Sequence, residues 1–134
     1  MIVVDTNIIV YFHVEGDHTK EAWQVFQKDS EWYAPFLWQS EFRNTMFRYL
    51  RSNLLLQTDV LEFAEAAEKM MIGNELHLLP NDIFPFAASS SCSAYDCEFV
   101  ALAKELGVPL VTADKQILRE FPETAVSPQQ FVNG

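Results

Sequence analysis

The sequence predicts an α/β protein in which a parallel sheet is covered by helices on both faces. Two short β-branched runs, 2–5 (IVVD) and 109–112 (PLVT), are typical of buried parallel strands. Segments with the apolar spacing of helices lie between them, and strands that alternate with helices pair in parallel. The 134 residues are 49% hydrophobic, which suits a single domain over 1–134 with its own core.

The first half of the chain carries four predicted helices and one further extended segment. Thr6 and Asn7 form a turn or cap after the first strand, and the 57–71 helix is the clearest because strong helix formers fill it up to Gly73-Asn74. The predicted segments are a helix beginning at 8–12, an amphipathic helix at 17–28, an extended segment at 32–35, and helices at 37–51 and 57–71.

The second half is less regular. A helix is predicted at 94–106, closed by Gly107, followed by the 109–112 strand and a short helix at 115–121. Residues 76–79 are expected to be extended, and 129–132 to form a last turn or strand. The segment 80–93, rich in proline and serine, predicts no regular helix, and its serine cluster is interpreted as a loose helix end.

The composition excludes several functional classes. Nineteen acidic against nine basic residues give a net charge of −10, so the chain lacks the basic surface typical of proteins that bind nucleic acid by neutralising phosphates. No apolar stretch is long enough to span a membrane, and the N-terminus does not resemble a signal peptide. The spacing of Cys92 and Cys97 predicts free buried thiols in a reducing cytoplasm, and the scattered histidines indicate no zinc site.

Two aspartates follow predicted strands, and two further acids begin predicted helices. Asp5 ends the first strand and Asp114 follows the late one, so both are expected at the carboxyl edge of the sheet, where α/β proteins bind ligands. Asp96 lies in the first turn of its helix, where Ser93 and Asp96 also fit a capping box. Glu41 lies early in the 37–51 helix. Each acid alone also fits a turn, a cap or a solvated helix face, so the hypothesis of a shared site rests on the set.

Four carboxylates that converge without a counter-ion repel one another. Each pair costs about 4 kcal/mol at 4 Å and an effective dielectric near 20, or drives protonation instead. A divalent cation relieves this repulsion, and an all-oxygen set suits Mg²⁺ or Mn²⁺. The sequence contains no Ser-His-Asp or Cys-His arrangement and no glycine-rich phosphate loop. A bound metal of this kind can lower the pKa of a water molecule and hold a phosphodiester.

The chain resembles the PIN-domain ribonucleases, and most of all the VapC-like toxins of toxin–antitoxin pairs. The resemblance spans essentially the whole chain and rests on the ordered motifs VVDTNIIVYF, PFLWQSE, SAYDCEFVALA and LVTAD. It implies a three-layer α/β/α sandwich with a central parallel sheet and an Mg²⁺- or Mn²⁺-dependent endoribonuclease site. By motif position, the catalytic and metal-binding acids fall on Asp5, Glu41, Asp96 and Asp114. Asn7 and Thr112 match the polar residues that support the first and last of these acids.

The resemblance also implies an RNA substrate and a small antitoxin partner, and we expect a cytoplasmic homodimer. Few cations are available near the site to hold RNA. Arg48, on the same helical stripe as Glu41, is our choice for a phosphate contact, with a surface ion pair as the alternative. The other candidates are Arg43, Arg51, Lys115 and Arg119.

Two other functions stay open on the sequence alone. One is a phosphoryl-transfer or receiver-like domain phosphorylated on Asp5, although Asn7 stands where a dehalogenase-type enzyme needs a second aspartate. The other is a non-catalytic module whose acidic cleft binds a basic segment of a partner. Aromatic and methionine side chains would supply part of an interface in that case, although core packing is the commoner use of such residues.

Overall fold

A computed structural model describes residues 1–134 and contains a five-stranded parallel sheet with the strand order β3-β2-β1-β4-β5. The strands are β1 (Ile2–Val4), β2 (Trp32–Pro35), β3 (Glu75–Leu76), β4 (Leu110–Val111) and β5 (Ala125–Val126). The helices are α1 (Thr6–His13), α2 (Thr19–Lys28), α3 (Leu37–Arg51), α4 (Gln57–Met71), α5 (Pro80–Ala88), α6 (Ala94–Leu106), α7 (Lys115–Glu120) and α8 (Pro128–Asn133).

Helices cover both faces of the sheet, so the predicted α/β sandwich with a central parallel sheet is confirmed. One layer contains α1, α3 and α4, which pack on one another, while α6 packs against β1, β2 and β4 with α5 behind it. The core between the layers includes Trp32, Trp38, Phe42 and Phe99, which are all buried. Both cysteines are free and buried, as predicted.

The strand order places a topological switch point between β1 and β4. The chain adds β2 and β3 on one side of β1, then crosses to the other side for β4 and β5. Val3 pairs with Leu110 and Val4 with Val111, so β1 and β4 end at the same level. A crevice at this point is where parallel α/β sheets bind ligands. The register therefore brings the residues that follow β1 and β4 together.

The second half of the chain departs from the sequence predictions in three places. Residues 80–88 form a regular helix, α5, because Pro80 occupies its first turn, where no backbone N–H is needed, and Pro85 removes only one internal hydrogen bond. Residues 128–133 form helix α8 rather than a strand, since Ser127 and Gln130 make a capping box. The strand β5 was not predicted, because two residues are too short to show alternation.

No helix of the protein is both long enough and apolar enough to span a membrane.

Candidate active site

Asp5 lies at the centre of the switch point. It follows β1 directly and caps α1, and its carboxylate accepts hydrogen bonds from Thr6 N (2.8 Å) and from Thr112 Oγ1 (2.7 Å). Only 9% of the residue is exposed. Burial raises the pKa of Asp5 to about 7, and the charges of Glu41 and Asp96 act in the same direction against the two hydrogen bonds. Without a cation, Asp5 is therefore partly protonated near neutral pH.

Asp114 lies beside Asp5 because β4 is the neighbour of β1. Its Oδ1 caps α7 by accepting hydrogen bonds from Gln116 N (2.8 Å) and Ile117 N (3.0 Å). Thr112, which is fully buried, connects the two acids: its Oγ1 donates to Asp5 Oδ2 and accepts from Asp114 N at 3.0 Å. Thr112, which was suggested together with Asn7 as support for the acids, thus contacts both Asp5 and Asp114, and its hydroxyl fixes the position of one relative to the other.

Glu41 reaches the site from α3. It lies in the second turn of the helix, and its Oε1 accepts a hydrogen bond from Thr6 Oγ1 at 2.7 Å. Burial raises the pKa of Glu41, and the charges of Asp96 and Glu98 raise it further, while the bond from Thr6 opposes them. Neither Thr6 nor Glu98 was singled out from the sequence. Thr6 was interpreted only as a turn or cap residue. Its position next to Asp5 was the one sequence signal that it could belong to the site.

Asp96 reaches the site from the first turn of α6. Ser93 Oγ accepts a hydrogen bond from Asp96 N at 3.1 Å, which is the cap expected from the sequence. Burial raises the pKa of Asp96, and the charge of Asp114 contributes to the same shift. Asp96 therefore interacts with each of the other three acids. Its charge raises the pKa values of Asp5 and Glu41, and the charge of Asp114 raises the pKa of Asp96.

No basic side chain neutralises this carboxylate cluster, defined as Asp5, Glu41, Asp96 and Asp114. The ion pairs of the protein lie elsewhere and join Met1 to Asp29 and Glu31, His18 to Glu21, Arg43 to Glu68, and Lys104 to Glu123. Such an uncompensated set of carboxylates favours either protonation or a bound cation. The structure brings together all four predicted acids, which come from four separate segments.

The donor set fits a hard divalent cation held partly through water. All the candidate ligands are carboxylate oxygens, the type that Mg²⁺ and Mn²⁺ prefer. No three His, Cys, Asp or Glu side chains stand close enough to form a complete coordination group. Mg²⁺ commonly uses one or two carboxylates and keeps several waters, so a partial set of protein ligands is compatible with it.

The remaining predicted residues, Asn7 and Arg48, are exposed and make no hydrogen bond to an acid of the cluster. Asn7 is exposed on the first turn of α1, and its side chain makes no hydrogen bond within the protein. Arg48 is exposed on α3, and its Nη2 donates to Thr45 Oγ1 at 3.3 Å. It forms no ion pair, so its guanidinium remains available to a ligand. By contrast, Arg43 pairs with Glu68, and Arg51 lies over the ring of Phe47.

A hydrogen-bonded clamp joins the two helices that carry Asp96 and Asp114. Ser91, just before α6, donates to Glu120 Oε1 through its N (3.1 Å) and its Oγ. Gln116 Nε2 donates back to Ser91 O (2.8 Å) and Ser91 Oγ (3.1 Å). We call Ser91, Gln116 and Glu120 the clamp. The sequence analysis missed it, since it treated the serine cluster as a loose helix end.

Two comparisons with known proteins agree with this geometry. The family model described as PIN domain matches residues 2–123. Ribonuclease VapC3 of Pyrobaculum aerophilum is 25% identical over 124 residues, which cover 90% of this chain and 95% of that protein. The matched region contains all four acids of the carboxylate cluster.

Proposed function

The chain belongs to the PIN-domain family, and we propose that it is a metal-dependent endoribonuclease that hydrolyses RNA phosphodiesters. The observation that carries this proposal is the carboxylate cluster, in which Asp5, Glu41, Asp96 and Asp114 meet without a basic partner. The similarity to Ribonuclease VapC3 supports RNA as the substrate. Mg²⁺ or Mn²⁺ is the proposed cofactor, because the donor set is entirely oxygen.

The four acids are the residues that would hold the cation, directly or through water. When bound, a divalent cation lowers the pKa of a coordinated water and offsets the charge of the phosphodiester. Thr112 and Thr6 hold the carboxylates of Asp5 and Glu41 in place, while the clamp fixes α6 against α7. Arg48 would contact a neighbouring phosphate of the RNA, and in-line attack by water leaves 5′-phosphate and 3′-hydroxyl ends.

Protonation of Asp5 should compete with cation binding. Its pKa is raised to about 7, so cation binding must displace a proton from a buried carboxyl at neutral pH. The affinity for the cation should therefore increase as the pH rises from about 6 to 8. Calorimetric titration with Mn²⁺ over this range tests the coupling without any RNA.

The test of the proposed activity is cleavage of unstructured RNA with Mg²⁺, with Mn²⁺ and with chelator. We expect cleavage only with a cation, and a loss of about 100-fold or more in Asp5→Asn and Asp96→Asn. Glu105→Gln is the matched control, because Glu105 is an exposed acid on the same helix as Asp96, away from the cluster. Undiminished cleavage by both Asn variants, or in chelator, would show that the activity lies elsewhere.

We also propose that the protein is the cytoplasmic toxin of a toxin–antitoxin pair and that it forms a homodimer. The resemblance to VapC-like toxins supports a small antitoxin partner, and the two free cysteines are typical of a reducing compartment. The net charge of −10 suits a basic partner segment. Growth arrest on expression, relieved by co-expression of a small protein encoded beside it, tests the first proposal, and light scattering of the purified protein tests the second.

A further inference from the structure

A cleft of about 370 Å³ opens at the carboxyl-terminal end of α1. It lies between α1, the loop 14–19, the end of α3 and the turn at 54–55. Three aromatic rings line it, those of Tyr11, His18 and Tyr49, over an apolar floor that includes Val10. A volume of this size falls in the range of small-molecule sites, which combine apolar walls with a few polar groups.

The cleft is lined in part by α1, which Asp5 caps, and by α3, which carries Glu41. Tyr11 lies on α1, less than two turns after the residues that hold Asp5, and burial and then the proximity of Tyr49 and of Asp5 raise the pKa of Tyr11. On α3, Glu41 and Tyr49 are eight residues apart and therefore share a helix face, about 12 Å apart along the axis. An RNA strand that passes the cluster thus reaches the cleft within a short distance.

Two free carboxylates stand at the rim of the cleft. Glu15 and Asp17 flank Gly16 in the loop, are exposed, and take part in no hydrogen bond or ion pair from their side chains. The loop itself is held in place, since Thr19 Oγ1 donates to Val14 O (3.0 Å) and accepts from Gly16 N (2.9 Å). The rim therefore offers hydrogen-bond acceptors on a fixed backbone.

Tyr49 is the ring available for stacking. His18 already packs on Tyr11, with 4.6 Å between the ring centroids, whereas Tyr49 has no aromatic neighbour. Unpaired RNA bases bind proteins by stacking on aromatic rings and by hydrogen bonds on their Watson–Crick edges. Guanine presents two adjacent donors on that edge, N1–H and N2–H, and a carboxylate accepts such a pair in a bidentate manner. Cytosine and adenine each present one amino group there, and uracil one imino group.

We propose that this cleft binds an unstacked guanine base of the RNA, next to the cleaved phosphodiester, by stacking on Tyr49 and hydrogen bonding to Glu15 or Asp17. The inference rests on the proposed ribonuclease function and adds that the enzyme prefers RNA with a guanine base at this position. A basic side chain of a partner protein is the competing occupant, because carboxylates and aromatic rings also attract cations. The base is favoured by the apolar floor, by the two helices that the cleft shares with the carboxylate cluster, and by the position of Arg48 next to Tyr49 on α3.

The test measures binding in chelator, so that no cleavage occurs. Fluorescein-labelled single-stranded RNA octamers of uridine with one central guanosine are compared with the same octamers carrying inosine, which lacks the N2 amino group. We expect guanosine to bind about tenfold more tightly, as a lost hydrogen bond to a charged group predicts. The double variant Glu15→Gln with Asp17→Asn should bind the two octamers within about twofold of each other.

A second pair of variants tests the stacking. Tyr49→Ala should weaken binding of the guanosine octamer about tenfold, and Tyr49→Phe, which keeps the ring, should restore it to within about twofold. Equal binding of guanosine and inosine octamers by the wild-type protein would overturn the inference. The inference would also be overturned if an arginine-containing peptide bound the wild-type protein, lost affinity when Asp17 was replaced, and displaced neither octamer.

Cleavage assays separate this inference from the proposed function. Mapping of cut sites with Mn²⁺ should place guanosine at one fixed position beside the cut. Cleavage with no base preference, together with equal binding of the two octamers, would overturn the guanine site and leave the ribonuclease intact. Discrimination between the octamers without any cleavage would support the site and contradict the ribonuclease.

Discussion

The carboxylate cluster has two flanks that differ in how fully the protein satisfies its own polar groups. On the side of α6 and α7, which we call the filled flank, Ser91, Gln116 and Glu120 satisfy one another with the four hydrogen bonds of the clamp. On the side of α1 and α3, the cleft leaves Glu15, Asp17 and Tyr49 without hydrogen-bond partners. Under the proposed function, the filled flank positions Asp96 and Asp114, while the open flank has free groups that can bind a ligand. Binding and positioning are thus assigned to opposite sides of Asp5.

The largest effect is expected from the buried carboxyl group of Asp5, which lies between the two flanks. The pKa of Asp5 is raised from 3.8 to about 7, so the folded protein binds this proton more tightly than the unfolded chain. The contribution to stability is complete below about pH 4 and is lost as the pH rises to 7, by up to about 4 kcal/mol. Urea unfolding in chelator should show this decline in the wild type and a smaller one in Asp5→Asn, where the raised pKa values of Glu41 and Asp96 still contribute.

Added cation should reverse the decline. At pH 8, millimolar Mn²⁺ is expected to stabilise the wild type, since the cation binds the folded cluster and not the unfolded chain. The Asp5→Asn variant serves as the control and should respond much less. A wild-type protein whose stability in chelator declines between pH 4 and 7 no more than that of Asp5→Asn would contradict the raised pKa of Asp5.

The next largest effect should come from the hydroxyl that both aspartates share. Thr112→Val removes the donor to Asp5 and the acceptor of Asp114 N without changing the shape of the side chain. We expect a loss of about 2 kcal/mol in the free energy of unfolding, because both groups stay buried without that partner. Chemical denaturation checks this, with Thr112→Ser as the matched control that keeps the hydroxyl. An unchanged free energy of unfolding in Thr112→Val would show that the hydrogen bonds of the Thr112 hydroxyl do not stabilise the fold.

A third test removes the hydrogen bonds of the clamp on the filled flank. Gln116→Ala combined with Glu120→Ala removes the clamp and frees α6 to move relative to α7. We expect kcat and the affinity for Mn²⁺ to fall about tenfold, as for other residues that orient metal ligands, with KM for RNA nearly unchanged. Glu123→Gln, which disturbs only the exposed pair with Lys104, is the control. A higher KM with an unchanged kcat would reverse the roles assigned to the two flanks.

The smallest effect is expected on the open flank, at Arg48. Arg48→Ala should raise KM about threefold without changing kcat, because one exposed phosphate contact is lost. The slope of log affinity against log salt should become smaller by about one. Arg43→Ala is the control on the same helix, since Arg43 already pairs with Glu68. An identical salt slope in the wild type and Arg48→Ala would place the phosphate contact at another residue.

Local patterns predicted most of the fold, including α3, α4, α6 and the strands β1 and β4. These elements show strong helix formers, caps or β-branched runs, and the predicted bounds of all three helices match the structure. Elements of two residues, β3 and β5, were shifted or missed, since their existence depends on pairing with a neighbouring strand. Helix α5 was missed because two prolines locally disfavour it, whereas packing against α6 stabilises it.

The candidate site was predictable only in part. The four acids could be proposed because Asp5, Asp96 and Asp114 lie at the ends of regular elements and all four match motif positions of the PIN-domain ribonucleases. The clamp and the cleft were not found, because their residues come from elements with no shared motif. Ser91 and Glu120 are 29 positions apart, and their hydrogen bonds depend on how α7 returns toward α6. The bond from Thr6 to Glu41 likewise spans 35 positions.

The amino-acid sequence by itself determined that parallel strands would end in aspartates and that helices would begin with acids, because strand propensity, capping and apolar spacing act over a few residues. Only the tertiary structure decided that these acids share one crevice, which polar groups support them, and which flank is left open. Those outcomes depend on the crossover between β1 and β4 and on contacts between distant segments, such as the bond across 107 positions from Thr112 to Asp5. Packing, rather than local propensity, sets such distances.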